Sequence, residues 1–183
     1  MSLAAPMADG EVRLEPLVEE HREPLRRACA EDPDIWAIYP MSFFGEGFEA
    51  AFDKCLRPGR SVAFAVYLRD EMVGMSSYLD IETKHGSVQI GRTYFVPGVR
   101  GTGFNGRVKR LMLDRAFASG FQRAEFKVDT RNARSMAAIL KVGATYEGTL
   151  RKNLVTWTGF VRDTAVYSIL ADEWPALKAS RAA

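Results

Sequence analysis

Residues 100–110 read Arg-Gly-Thr-Gly-Phe-Asn-Gly-Arg-Val-Lys-Arg, three glycines in six positions running into a helix-like segment. Gly101 and Gly103 let the backbone approach a ligand closely and take φ > 0 without a Cβ penalty. Successive N–H groups in such a loop form an anion-binding concavity, and the positive end of the following helix adds to it. Arg100, Arg107, Lys109 and Arg110 crowd the helix start, where cations oppose the macrodipole by about 0.3–1 kcal/mol each. That placement suits an anion with several charges. A glycine-rich turn with solvated arginines is the alternative.

The letters Gly101 to Gly106 also spell G-x-G-x-x-G, and Asp129 follows at about the distance of a ribose-binding acid. The context argues against a dinucleotide. Such a turn belongs directly after the first strand of repeated βα units, whereas this one lies past the midpoint. Pro97-Gly98-Val99-Arg100 also separates it from the preceding strand. Walker-type nucleotide hydrolysis is excluded because no Gly-Lys-Ser/Thr follows the glycines.

The elements that must position this loop can be read from periodicity. A first strand spans 11–18 and a helix runs from about Glu19 to Ala30. Pro33, Pro40 and Gly45 break the chain before a short helix over Glu46–Leu56. Residues 61–69 alternate and turn at Asp70-Glu71 into 73–81, predicting a hairpin; 87–96 is a third strand. Then come a helix over 105–119, a strand over 124–129, and a helix from about Asn132 to Gly143. Gly143 suits a left-handed helix end. Two last strands pair around Trp157–Gly159. The order predicts a mixed α/β domain with an antiparallel middle.

Composition bounds the function. The chain has 183 residues, 47% of them hydrophobic, enough for one core. A net charge of +2, without long basic runs, gives no support to nucleic-acid binding, and no stretch is apolar enough for a membrane span. His21 and His85 lack ligand-spaced partners, so no metal is expected. Cys29 and Cys55 fit two thiols in a reducing cytoplasm better than a secreted scaffold, with a disulfide left open. Residues 11–175 are expected as a single domain, 1–10 as a disordered or vector-derived terminus, and 176–183 as a tail.

Arg100-Gly101-Thr102-Gly103-Phe104-Asn105 after a Pro-containing strand end resembles the pyrophosphate loop of the GNAT superfamily of N-acetyltransferases. Asn105 stands where a Gly or Ala is usual, which leaves the backbone donors in place. Asn132-Ala-Arg-Ser135, Gly143-Ala144, Glu147 to Arg151, Arg162-Asp163-Thr164 and Tyr167 to Leu170 are similar to its RimJ/RimL-like branch, which includes ribosomal-protein N-terminal acetyltransferases. The resemblance implies an α/β (α+β) GNAT fold: a mixed, largely antiparallel twisted sheet with splayed central strands, flanked by helices. It implies an acetyl-CoA-dependent N-acetyltransferase whose acceptor is a primary amine, preferably a protein N-terminus. A small amine such as a polyamine, antibiotic or amino acid is the alternative, as is a CoA-binding module with little catalysis. A cytoplasmic monomer or homodimer is expected.

By the same resemblance, acetyl-CoA as cosubstrate is bound by Tyr94, Phe95 and Val96 through backbone groups on the pantetheine. Arg100, Gly101, Thr102, Gly103, Phe104 and Asn105 hold the pyrophosphate. Asn132 contacts the pantetheine arm, although Asn is also a favoured helix N-cap. The slot of a helix tyrosine acid holds Ile139, which leaves Ser135 as candidate acid, with a bond to its own helix backbone as the alternative. A glutamate slot on the preceding strand holds Gln89, so the base is unassigned; Asp80, Glu82 and His85 lie nearby without a matching motif. Trp36, Tyr39 and Phe43–Phe44 are a candidate aromatic wall for the acceptor, or core.

Overall fold

The structure, a computed structural model, describes residues 2–180. Eight strands form one sheet: β1 (Met7–Asp9), β2 (Val12–Pro16), β3 (Val62–Leu68), β4 (Glu71–Glu82), β5 (Ser87–Phe95), β6 (Arg123–Asp129), β7 (Thr145–Val155) and β8 (Val161–Leu170). Their order is β1-β2-β3-β4-β5-β6-β8-β7, antiparallel everywhere except between β5 and β6. The parallel pair is joined by a crossover helix, α3 (Phe104–Ala118).

That one parallel pairing is brief. It holds at Ser87↔Arg123, Val88↔Ala124 and Gln89↔Glu125 and then ends. Beyond it β5 stays with β4 as far as Phe95, and β6 stays with β8 as far as Asp129. The sheet therefore opens into a wedge between β5 and β6, the splay expected from the resemblance. Arg92 sits at the bend with φ 50, between the paired residues Gly91 and Tyr94. An extra residue at a bulge bends and twists its strand, which turns β5 away from β6.

Helices cover both faces, and two buried tyrosines mark the sides. Tyr94 donates to the carbonyl of Ala28 in α1 (Arg22–Ala30), and Tyr78 donates to that of Met112 in α3. On the α1 side α2 (Phe48–Leu56) adds Phe48 and Phe52 to the core. α3 packs Val108, Met112, Leu113 and Ala116, and α4 (Ala133–Val142) packs Ile139 and Val142. Gly143 ends α4 at φ 103, as expected of a left-handed stop.

The ends of the chain differ from expectation. Residues 7–9, read as part of a loose terminus, form β1, bury Met7 and pair with β2. Arg115 of α3 donates to the carbonyls of Ser2, Ala5 and Pro6 and ties the segment down. Three residues are too few to show a period, so the strand left no pattern to read. The expected tail begins inside α5 (Trp174–Ala179), whose Trp174 and Lys178 both bond Asp114. Residue 1 and residues 181–183 lie outside the described residues. Cys29 and Cys55 are both free and buried.

Candidate active site

The wedge encloses a cavity of about 490 Å³. β5 supplies Gln89 to Thr93, β6 supplies Phe126 to Asp129, and α4 with its N-cap supplies Asn132, Ser135 and Ile139. Lys109 reaches it from α3, Arg162 from β8, and Leu150, Asn153 and Leu154 from β7. Three non-glycine residues with left-handed backbone stand around it: Asp80 (φ 46), Arg92 (φ 50) and Lys152 (φ 48). Each falls in a break of strand register, at Leu79/Glu82, Gly91/Tyr94 and Leu150/Leu154. Such strained residues cost about 1–3 kcal/mol each and cluster where a fold re-aims its side chains. The N–H of Lys152 donates to Asp163 Oδ1 at 2.6 Å, which holds the third one in place.

The glycine loop lies outside this cavity, beyond the open end of β5. Gly101 (φ 80) and Gly103 (φ 85) are left-handed, and a Cβ built on either would meet nothing within 4 Å. Gly103 is the N-cap of α3. Among the described residues, no N–H from Gly101 through Gly106 donates to a protein acceptor. Six consecutive free donors at a helix start fit a polyanion such as a pyrophosphate. Thr102 Oγ1 donates to the carbonyl of Val99 at 2.8 Å, and Phe104 packs edge-on against Phe95. Asn105 Oδ1 is buried without a partner.

The cations are arranged differently from the sequence expectation. Arg100 turns back to Asp32 and to the carbonyl of Phe95, leaving its Nη2 buried and unpartnered. Arg107 bonds Asp9 through Nε and through the Asp9 carbonyl. Lys109 lines the cavity. Arg110 makes no hydrogen bond or ion pair among the described residues, and its Nη1 lies 3.5 Å from where a Cβ on Gly106 would stand. The loop is therefore a backbone cradle braced by two arginines, with one free cation beside it.

Asn132 and Ser135 are brought together as expected. Asn132 Oδ1 accepts from the N–H of Ser135 at 3.0 Å, which makes it the N-cap of α4. The Ser135 hydroxyl makes no bond to its helix backbone among the described residues. Ile139 and Gln89, the residues expected in the slots of an acid and a base, both line the cavity. Tyr94, Phe95 and Val96 do not. Tyr94 packs at a tilt against Trp36 and is held by α1, the Phe95 carbonyl accepts from Arg100, and the Val96 N–H goes to Val73. Trp36 and Phe43 are core, Phe44 is exposed, and only Tyr39 of that cluster lines the cavity. The Tyr39 hydroxyl donates to the carbonyl of Thr93 at 2.6 Å.

Two residues named in the sequence for other reasons, Lys109 as a cation at the loop and Arg162 within a motif, take places in the cavity that were not expected. Lys109 is 5% exposed, with its Nζ 5.8 Å from the centre of the Phe126 ring. Burial alone pulls its pKa down to about 8. Its signal was available: Lys109 lies on the stripe of Met112, Leu113 and Ala116 at i+3, i+4 and i+7. Arg162 is also 5% exposed, and its Nε donates to Thr164 Oγ1 at 3.1 Å. Asp129 is buried, which opposes its ionisation, but hydrogen bonds from Arg131 outweigh this and hold its pKa below the usual range. A carboxylate so tied is a poor base.

Residues 11–145 match the family model described as the acetyltransferase (GNAT) domain. The chain belongs to the GNAT acetyltransferase family and is an acetyl-CoA-dependent N-acetyltransferase. A search of curated proteins returns no match. Among solved structures it is similar to a "probable acetyltransferases (GNAT family)" protein from Chromobacterium violaceum ATCC 12472. That pair shares 31% identity over 94% of this chain and 89% of the other, with a TM-score of 0.88. Mycobacterium smegmatis RimJ, in complex with CoA-disulfide, is similar in fold at 24% identity, covering 93% and 88% of the chains, with a TM-score of 0.79. So is a spermidine N-acetyltransferase from Vibrio cholerae, in complex with CoA and spermine, at 16% identity, covering 91% and 99%, with a TM-score of 0.75.

Proposed function

We propose that this enzyme acetylates the N-terminal amine of a protein or peptide in the cytoplasm, as a member of the RimJ/RimL-like branch. The observation that carries this reading is the charge of the cavity wall. Its charged side chains are Asp80, Arg92, Lys109, Lys127, Asp129 and Arg162. Both carboxylates are already engaged, Asp80 with Lys127 at 3.4 Å and Asp129 with Arg131 at 2.7 Å. A polyamine needs free carboxylates for its several ammonium groups, and this wall offers cations instead. A peptide suits it, since its carbonyls accept from Arg162 and Asn153 while its single terminal amine reaches the wedge.

In this reading the N–H groups of Gly101 to Gly106 hold the pyrophosphate of acetyl-CoA, with Arg100 bracing the loop. Backbone groups of Tyr94, Phe95 and Val96 left free by β4, Val73 and Arg100, together with Asn132, guide the pantetheine. When bound, acetyl-CoA supplies an activated acetyl thioester, so orientation accounts for much of the rate. The Ser135 hydroxyl hydrogen-bonds the departing sulfur. The acceptor loses its first proton to water, because Gln89 cannot take it.

Mass spectrometry after incubation with acetyl-CoA and a panel of peptides, spermidine and amino acids tests the acceptor. Peptides should be acetylated at the α-amine, and Ser135→Ala should slow this about tenfold, the loss of one hydrogen bond. Spermidine acetylated in preference to every peptide would overturn the peptide reading.

A further inference from the structure

A buried ammonium needs a reason. Among the described residues Lys109 has no ion pair and no hydrogen bond, and the face of Phe126 is its one charge-compensating neighbour. A lysine serving only to support the fold would be paired or would carry its ammonium to the outer surface. Instead it lines the wedge from the α3 side, while the polar groups Lys127, Asp129 and Arg162 line it from β6 and β8. From α4 and its N-cap, the residues lining the cavity are Asn132, Ser135 and Ile139. None of these is acidic enough to protonate a thiolate, since a serine hydroxyl is a far weaker acid than a thiol.

We propose that Lys109 is the catalytic acid, its ammonium giving the proton to the departing sulfur. This rests on reading the cavity as the acetyl-CoA site. As the acceptor nitrogen bonds to the acetyl carbon, the carbon–sulfur bond breaks and its electron pair stays on sulfur. The sulfur takes a proton from Lys109, which is left as a neutral amine. The new amide nitrogen releases its surplus proton, and water in the cavity returns it to Lys109. The sum is amine plus thioester giving amide plus thiol. A pKa of about 8 fits that role, because the group is protonated at neutral pH and close in acidity to a thiol. The other charges facing the cavity are Asp80 on β4, Arg92 on β5, Lys127 and Asp129 on β6, and Arg162 on β8. The two acids among them are held by other cations.

The test uses the full-length enzyme, its Lys109→Met and Lys109→Arg variants, and CoA itself as probe. Titrating the ultraviolet absorbance of the bound thiolate reads the ionisation of the CoA sulfur without any acceptor. In the wild type the thiol should ionise at lower pH than in Lys109→Met, with about tenfold more thiolate at a given pH. Lys109→Arg should keep that ionisation but turn over acetyl-CoA and peptide about a hundredfold more slowly, because guanidinium does not release its proton. Lys109→Met should be equally slow, with its KM for acetyl-CoA within a few fold. Its melting temperature should not fall, since an apolar isostere replaces an unpaired charge. CoA bound by wild type and Lys109→Met with the same thiol ionisation overturns the proposal alone. No CoA binding by the wild type would overturn the acetyl-CoA reading of the cavity as well.

Discussion

At Gly103 one residue carries two separable demands. Its backbone is left-handed at φ 85, and the space where a Cβ would stand is open. The Cβ of Gly103→Val therefore meets nothing in the protein, and the left-handed backbone costs a β-branched residue about 1–3 kcal/mol of strain. If the loop cradles a pyrophosphate, the added side chain projects into it, and CoA affinity should fall at least tenfold. Calorimetric titration with CoA, beside urea denaturation of the same variant, separates the two effects. Unchanged affinity in a folded variant would remove the loop from the site. The arginines beside it act differently: Arg100 and Arg107 tie the loop to Asp32 and Asp9, so their charges steady the cradle from behind.

Among the elements, α4 and the β7–β8 hairpin set the far side of the wedge. α4 starts on the Asn132 cap, which aims Ser135 at the cavity. Asn132→Ala should lower stability by about 1 kcal/mol, whereas Asn132→Asp keeps a side-chain oxygen for the cap and should cost little. Comparing the melting temperature and the KM for acetyl-CoA of both variants divides the roles. A KM raised by Asp as well as by Ala assigns Asn132 to the ligand, and a KM restored by Asp leaves it a cap. The hairpin is anchored to the segment before Ile38 and Tyr39 of the cavity wall, since Trp157 Nε1 donates to the carbonyl of Trp36 at 2.7 Å. It thereby fixes β7 beside the loop that carries Tyr39.

For the whole molecule, one ion cluster stitches the C-terminal half of the sheet. Arg123 of β6 reaches across β8 to Glu147 of β7, and Ser168 of β8 donates to the same carboxylate at 2.7 Å. The hydrogen bond from Arg123 is the main cause that brings the Glu147 pKa down to about 2. A carboxylate depressed in the folded state adds stability above its unfolded pKa, and that stability is lost as pH falls through the folded one. The window here runs from about 4.5 down to about 2. Because about a third of the Glu147 side chain meets water, screening limits the contribution to roughly 1 kcal/mol. The melting temperature of wild type should drop faster across that window than that of Glu147→Gln. Parallel curves would show the cluster to be neutral.

Local chemistry was legible where a feature is local. Alternation, glycine stops and the Asn132 cap depend on neighbours within a turn or a strand, so the elements could be read with only small shifts at their ends. β1 was missed because three residues have no period, and its partner is supplied by β2 and by Arg115. The glycine loop was recognisable because left-handed backbone and free N–H groups follow from glycine itself. Where its cations go was not, since Asp32 and Asp9 lie 68 and 98 residues away.

The amino-acid order by itself determined the elements, their mixed α/β class, the left-handed glycines and the donors of the loop. Only the tertiary structure decided which polar groups share the wedge. Lys109, Ser135, Asp129 and Arg162 come from α3, α4, β6 and β8, and no spacing along the chain brings them together. The wedge arises because β5 and β6 pair over only three residues before a bulge parts them. Burial then does what sequence cannot show, drawing the pKa of Lys109 down to about 8.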